Sequence, residues 1–101
     1  MSNLVTVQRV TVIADARLED GLLKQFARLG AKGYTCQDCR GRGEHEIVQD
    51  VFSGASRVRI ETIVQPQVAE AIMHYLDSPQ FHQQALTACV ETVQVLASDR
   101  F

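Results

Sequence analysis

The order in which hydrophobic periodicities follow one another constrains this chain more than any other feature. Residues 4–14 (LVTVQRVTVIA) are rich in Val, Thr and Ile and stop at Asp15, the pattern of a long strand. The alternation slips between Val7 and Val10, which predicts either a bulge or burial on both faces. Asp15 fits a helix N-cap, Leu18, Leu22, Phe26 and Leu29 follow at helical spacing, and Gly30 sits where a left-handed cap ends a helix. The first helix is therefore expected over 17–29. Residues 34–39 resume as a strand. Residues 57–65 form another, with Val58, Ile60 and Thr62 on one face and Arg57, Arg59 and Glu61 on the other. Pro66 fits the first position of a second helix whose apolar stripe is Val68, Ile72, Met73 and Leu76, stopped at Ser78-Pro79. Residues 79–85 are expected to add one helical turn capped by Ser78. Residues 88–96 (ACVETVQVL) read as a fourth strand, and 97–101 as a short frayed tail.

The order β-α-β-β-α-β is the ferredoxin-like split arrangement, an α+β fold. With 101 residues the chain is expected to form one domain around one core. Two amphipathic helices can cover only one face of a four-stranded sheet. The other face carries apolar residues from the outer strands beside the Arg57/Arg59/Glu61 row. A closed oligomer packing sheet against sheet is the economical solution.

Charge and length remove several function classes. Lys and Arg total 10 against 12 Asp and Glu, a net charge of −2, without the basic excess that broad nucleic-acid binding needs. No apolar run approaches the roughly 20 residues of a membrane span. Met1-Ser2-Asn3-Leu4 has no basic-then-apolar leader, and three cysteines do not read as a disulfide framework, so a cytoplasmic location is expected.

The residues that can carry chemistry cluster around one segment. Between 40 and 56 (RGRGEHEIVQDVFSGAS) there are three glycines, five charged residues and little periodicity. Compact domains seldom keep a structureless loop beyond about 12–15 residues unless it is functional or disordered. Gly41 and Gly43 permit close backbone approach to an anion, and Arg42 between them can grip a phosphate or carboxylate with both nitrogens. The pattern is neither a Walker A motif nor a GxGxxG opening a helix. Arg57 and Arg59 follow the loop immediately and suit a phosphate if a neighbouring subunit buries them, with Glu61 able to accept from ribose hydroxyls or an adenine amino group. Cys36-Gln37-Asp38-Cys39 has the CxxC spacing of redox and zinc sites. On a strand, however, these thiols point to opposite faces. His45 lies in the loop, His74 and His82 stand apart, and no nucleophile–base constellation is legible, so no enzymatic activity is expected.

Gly30-x-x-Gly33-Tyr34-Thr35, then Gly41-x-Gly43, a long loop, and Val58-Arg59-Ile60-Glu61-Thr62-Ile63-Val64 together resemble the PII signalling superfamily. The match spans nearly the whole chain in order and spacing. The wording Gly-Ala-Lys-Gly-Tyr-Thr and the short C-terminus look most similar to the PII-like branch linked to inorganic carbon uptake, the SbtB-like and carboxysome-associated proteins. This resemblance implies a homotrimer with nucleotide sites between subunits and a T-loop, here about 41–55, that changes shape with ligand. It also implies adenine nucleotides as ligands, bicarbonate as a possible co-ligand, and a bicarbonate transporter or carboxysome-related protein as partner.

Carried over by position, Thr35 would line the cleft, Gly41, Arg42 and Gly43 would wrap the phosphates, Arg57 and Arg59 would supply charge, and Glu61 would lie near the adenosine. The segment 78–87 (SPQFHQQALT) has no basic residue where nitrogen-regulating PII proteins are rich in glycine and lysine. That departure favours AMP or ADP over ATP. The loop has no tyrosine, which removes support for the nitrogen regulators' modification and 2-oxoglutarate response. No cysteine-rich extension follows the last strand, which favours the carboxysome-associated subgroup. The alternative is a divalent-metal-binding trimer like the CutA proteins, using Cys36, Cys39 and His45. On the leading reading, Arg42→Ala weakens nucleotide binding with the fold intact. An unchanged affinity in calorimetry removes Arg42 from the site.

Overall fold

A computed structural model describes residues 3–41 and 56–97. Arg42, Gly43, His45, the body of the expected T-loop and residues 98–101 lie outside the described residues. Strand β1 covers Leu4–Asp15 and is followed by a 3₁₀ turn, Ala16–Leu18, and helix α1, Glu19–Leu29. Strands β2 (Thr35–Cys39) and β3 (Arg57–Val64), helix α2 (Pro66–Leu76), a 3₁₀ turn (Pro79–Phe81) and β4 (Thr87–Leu96) complete the order. All strand pairings are antiparallel, in the order β2-β3-β1-β4. This is the ferredoxin-like α+β arrangement expected from the periodicities. No helix among the described residues is long and apolar enough to cross a membrane.

The slip in β1 resolves as burial on both faces. Its ladders run without a break, from Gln8↔Val64 to Asp15↔Arg57 on one side and from Leu4↔Leu96 to Ile13↔Thr87 on the other. A bulge would have left an unpaired residue. Val10, Val12 and Ala14 pack under the helices with Leu22, Phe26, Val58, Ile60 and Ile72. Val7 and Thr11 point to the opposite face yet are only 1% and 6% exposed.

The helices obey their sequence signals with two adjustments. Asp15 caps the 3₁₀ turn rather than α1 itself: its carboxylate accepts from the Arg17 N–H at 2.8 Å, and α1 starts at Glu19. Gly30 ends α1 with φ 117°, where a Cβ would also stand 3.0 Å from Val68 of α2. Pro66 opens α2 as expected. Ser78 stands at the N-cap of the next turn but makes no side-chain capping bond there. Its hydroxyl donates back to the Tyr75 carbonyl at 2.6 Å, tying off α2, and that turn ends at Phe81.

Both helices lie on one side of the sheet, and Arg57, Arg59, Glu61 and Ile63 alternate onto the other. That helix-free side also carries the Arg9–Glu91 ion pair at 3.0 Å and the hydroxyl of Thr11, which is buried without a partner among the described residues.

Asp15 makes stability acid-sensitive. Arg17 donates from its guanidinium and its backbone, holding the Asp15 carboxyl below its usual range, with desolvation opposing and the charges of Arg17 and Arg57 assisting. A depressed folded-state pKa stabilises fully above the ordinary value near 3.8, and that stabilisation is lost as pH falls through the lower folded value. Asp15→Asn keeps an acceptor for the cap but removes the charge. In urea denaturation at neutral pH and stepwise below the ordinary carboxylate value, the variant is expected to lose less stability in acid than the parent.

Candidate functional site

The motif Gly30-Ala31-Lys32-Gly33-Tyr34-Thr35 turns the chain from α1 into β2. After Gly30, Ala31 N–H donates to the Phe26 carbonyl at 2.9 Å, closing the helix end. Three residues later the buried Thr62 hydroxyl donates to the Gly33 carbonyl at 2.6 Å, pinning the turn against β3. Thr35 then opens β2 directly opposite Glu61. Between turn and strand lies an open groove of about 260 Å³, lined by Lys32, Gly33, Thr35, Glu61 and Ile63. The exposed ring of Tyr34 stands at its border.

Of the residues singled out in the sequence, Thr35, Glu61 and Arg59 come together. Thr35 and Glu61 are directly opposite across the β2–β3 ladder, where side chains sit about 4.5–5.5 Å apart at Cβ. Arg59, two residues along β3 from Glu61, reaches it at 3.3 Å. Arg57 stands at the far end of the same row. Its register partners are Cys39 on β2 and Asp15 on β1, and its Nη1 donates to the Ala85 carbonyl at 3.2 Å. Gly41 lies two residues past Cys39 at this same end. From Glu61 to Arg57 is four residues, roughly 13 Å of strand. The row thus has a hydroxyl-and-carboxylate end at the groove and a cationic end at the root of the long loop.

The thiols do not converge. Cys36 packs against the core on the helix side, and its position three residues from Cys39 puts the two on opposite faces of β2. Burial pushes the Cys36 thiol up, with the charge of Glu19 adding to it, so the sulfur is held protonated. Among the described residues no group of three His, Cys, Asp or Glu side chains could hold a metal ion. Sequence reasoning missed Lys32 and Ile63, whose place at the groove depends on the β2–β3 register, and the Arg57–Ala85 link, which spans 28 positions.

The two glycines of the motif do different work. Gly30 alone has positive φ among the described residues, and a Cβ at Gly33 meets nothing within 4 Å. Gly30→Ala is therefore expected to cost about 1–3 kcal/mol in chemical denaturation. Gly33→Ala is expected to be neutral or stabilising by a few tenths of a kcal/mol.

Comparison with known proteins agrees with this geometry. The family model described as Nitrogen regulatory protein P-II matches residues 7–100. A PII-like signaling protein of Thermus thermophilus is 38% identical, with a TM-score of 0.77 over 95% of this chain and 94% of that one. Two structures of CPII from Thiomonas intermedia share the fold at low identity. The one bound to ADP and bicarbonate is 19% identical, with a TM-score of 0.80 over 94% of this chain and 93% of its own. The one bound to ADP, AMP and acetate is 20% identical, with a TM-score of 0.79 over 91% and 90%. No curated protein matches the chain. A family match across nearly the whole length, together with the order of strands and helices, makes this chain a member of the nitrogen regulatory protein P-II family.

Proposed function

We propose that this protein is a PII-like signalling trimer that senses adenine nucleotides rather than catalysing a reaction. The observation that carries the reading is the polarity of the β2–β3 row. Thr35 and Glu61 face each other at an open groove, and Arg57 stands at the loop root at the other end. An adenine nucleotide has the same polarity, with hydrogen-bonding edges at the nucleoside and charge at the phosphates. On this reading Thr35 and Glu61 take the adenosine, and Gly41, Arg42, Gly43 and Arg57 take the phosphates. Arg59 orients Glu61 through their ion pair. The ligands of CPII, a protein of the same fold, support this choice.

Trimer formation finds support in the helix-free face. Val5 is exposed there and Ile13 and Ile63 are half-buried, an apolar surface that two helices on the other side cannot cover. Ligand binding gives the loop a fixed charge to organise around and so shifts its population. In our reading residues 41–55 then present themselves in the cytoplasm to a bicarbonate transporter or a carboxysome-related protein, with bicarbonate as co-ligand.

Isothermal titration with AMP, ADP and ATP, each repeated in excess bicarbonate, tests the reading. AMP and ADP are expected to bind more tightly than ATP, because the segment 78–87 has no Lys or Arg to meet a third phosphate. Bicarbonate is expected to tighten binding by about fivefold or more, the usual lower range of coupling between two sites. Heat from none of the three nucleotides sinks the reading.

A further inference from the structure

Thr11 carries a hydroxyl that neither the core nor the groove accounts for. It sits on the helix-free face of β1, only 6% exposed, and its Oγ1 is buried with no hydrogen-bond partner among the described residues. A buried hydroxyl left unpaired opposes folding. The rest of β1 is rich in valine, which has the same shape without that burden.

The register names the neighbours of this hydroxyl. Thr11 lies directly opposite Glu61 on β3 and directly opposite Cys89 on β4, so Thr35, Glu61, Thr11 and Cys89 form one row across the sheet. Side chains directly opposite stand about 4.5–5.5 Å apart at Cβ, a gap that a glutamate spans easily. A thiol is a weak acceptor, whereas a carboxylate is a strong one. Glu61 is instead held by Arg59 of its own strand, through a contact at 3.3 Å between partly exposed groups. Ion pairs of that kind contribute little, because solvent screens them and two long side chains must be ordered. The Glu61 carboxylate thus stands between two partners, one in use and one idle.

We infer that Thr11 is a positioning residue for Glu61: its hydroxyl is a second seat for the carboxylate, taken when an anion claims Arg59. Arg59 orients Glu61 as a ligand arrives, and gives it up to Thr11 on turning to a phosphate. The phosphate offers two anionic oxygens to the planar guanidinium fork. Glu61 then accepts from Thr11 through one oxygen and keeps the other toward the groove that it lines. The exchange needs only side-chain rotation, and it lets an anion take Arg59 without leaving Glu61 unpaired. That is the differential interaction a ligand-driven shift requires. The trigger rests on the nucleotide reading, whereas the second seat does not.

Heat unfolding of the full chain without nucleotide, at one protein concentration, tests the seat in Thr11→Val, Arg59→Met and the double variant. Methionine keeps the aliphatic stem of Arg59 and removes its donors, so it stands in for an arginine drawn away. In the parent, Thr11→Val is expected to leave the midpoint unchanged or raise it, since the hydroxyl it deletes has no partner. In Arg59→Met the same change is expected to lower the midpoint by about 4–8 °C, the shift of one hydrogen bond in a domain of this size. A fall in the parent means that the hydroxyl is already paired, and it overturns the inference. A midpoint unchanged or raised in Arg59→Met overturns it equally.

Calorimetry with ADP tests the trigger. Thr11→Val is expected to bind about tenfold more weakly than the parent, and Thr11→Ser, which keeps the hydroxyl, within about twofold of it. Equal affinity of Thr11→Val and the parent overturns the trigger and spares both the seat and the nucleotide reading. No ADP binding to the parent overturns that reading and the trigger together, and the heat-unfolding set still decides whether Thr11 seats Glu61.

Discussion

Strand β1 is the reference to which the rest of the molecule is registered. It is paired on both sides from Gln8 to Ile13, and residues on both of its faces are buried. Shifting either neighbour by one residue would turn that neighbour's whole apolar set to the wrong side. Fixing β3 against β1 places Val58, Ile60 and Val64 under the helices, and by the same step sends Arg57, Arg59 and Glu61 to the other face. The chemistry of the candidate site is therefore a by-product of core register. No separate device is needed to aim those three side chains.

The register also decides what meets what at the two ends of β2. Because among the described residues β2 pairs only with β3, the turn after α1 and the root of the long loop hang from one ladder of five residue pairs. Gly30 and the Thr62–Gly33 bond set one end, and the Ser56–Ala16 bond sets the other. The groove and the root of the loop therefore share one structural element, the β2–β3 ladder.

Much of this architecture is legible in the chain itself. Four strand patterns and two helical ones have the spacing of the observed elements, and the glycine, proline and aspartate signals fall at real boundaries: Asp15, Gly30 and Pro66 each sit at a helix or turn end. Such signals are local, because a backbone dihedral or a missing N–H acts within a residue or two. Ser78 shows the limit. Its hydroxyl has two acceptable uses, capping forward or bonding backward, and it bonds to Tyr75. Residues 79–85 read as a longer helical turn for the same reason, although only three of them form one.

What the sequence determined by itself was the period of each segment, and with it the element order, the two-layer arrangement and the split of β3 into an apolar and a charged face. Periodicity is written residue by residue, so nothing distant is needed to read it. Only the tertiary structure decided that Thr35 faces Glu61, that Lys32 and Ile63 border the same groove, and that Arg57 reaches Ala85. Those juxtapositions depend on strand register and on how loops return to the sheet. They are properties of pairs far apart in the chain, fixed when the core closes around β1.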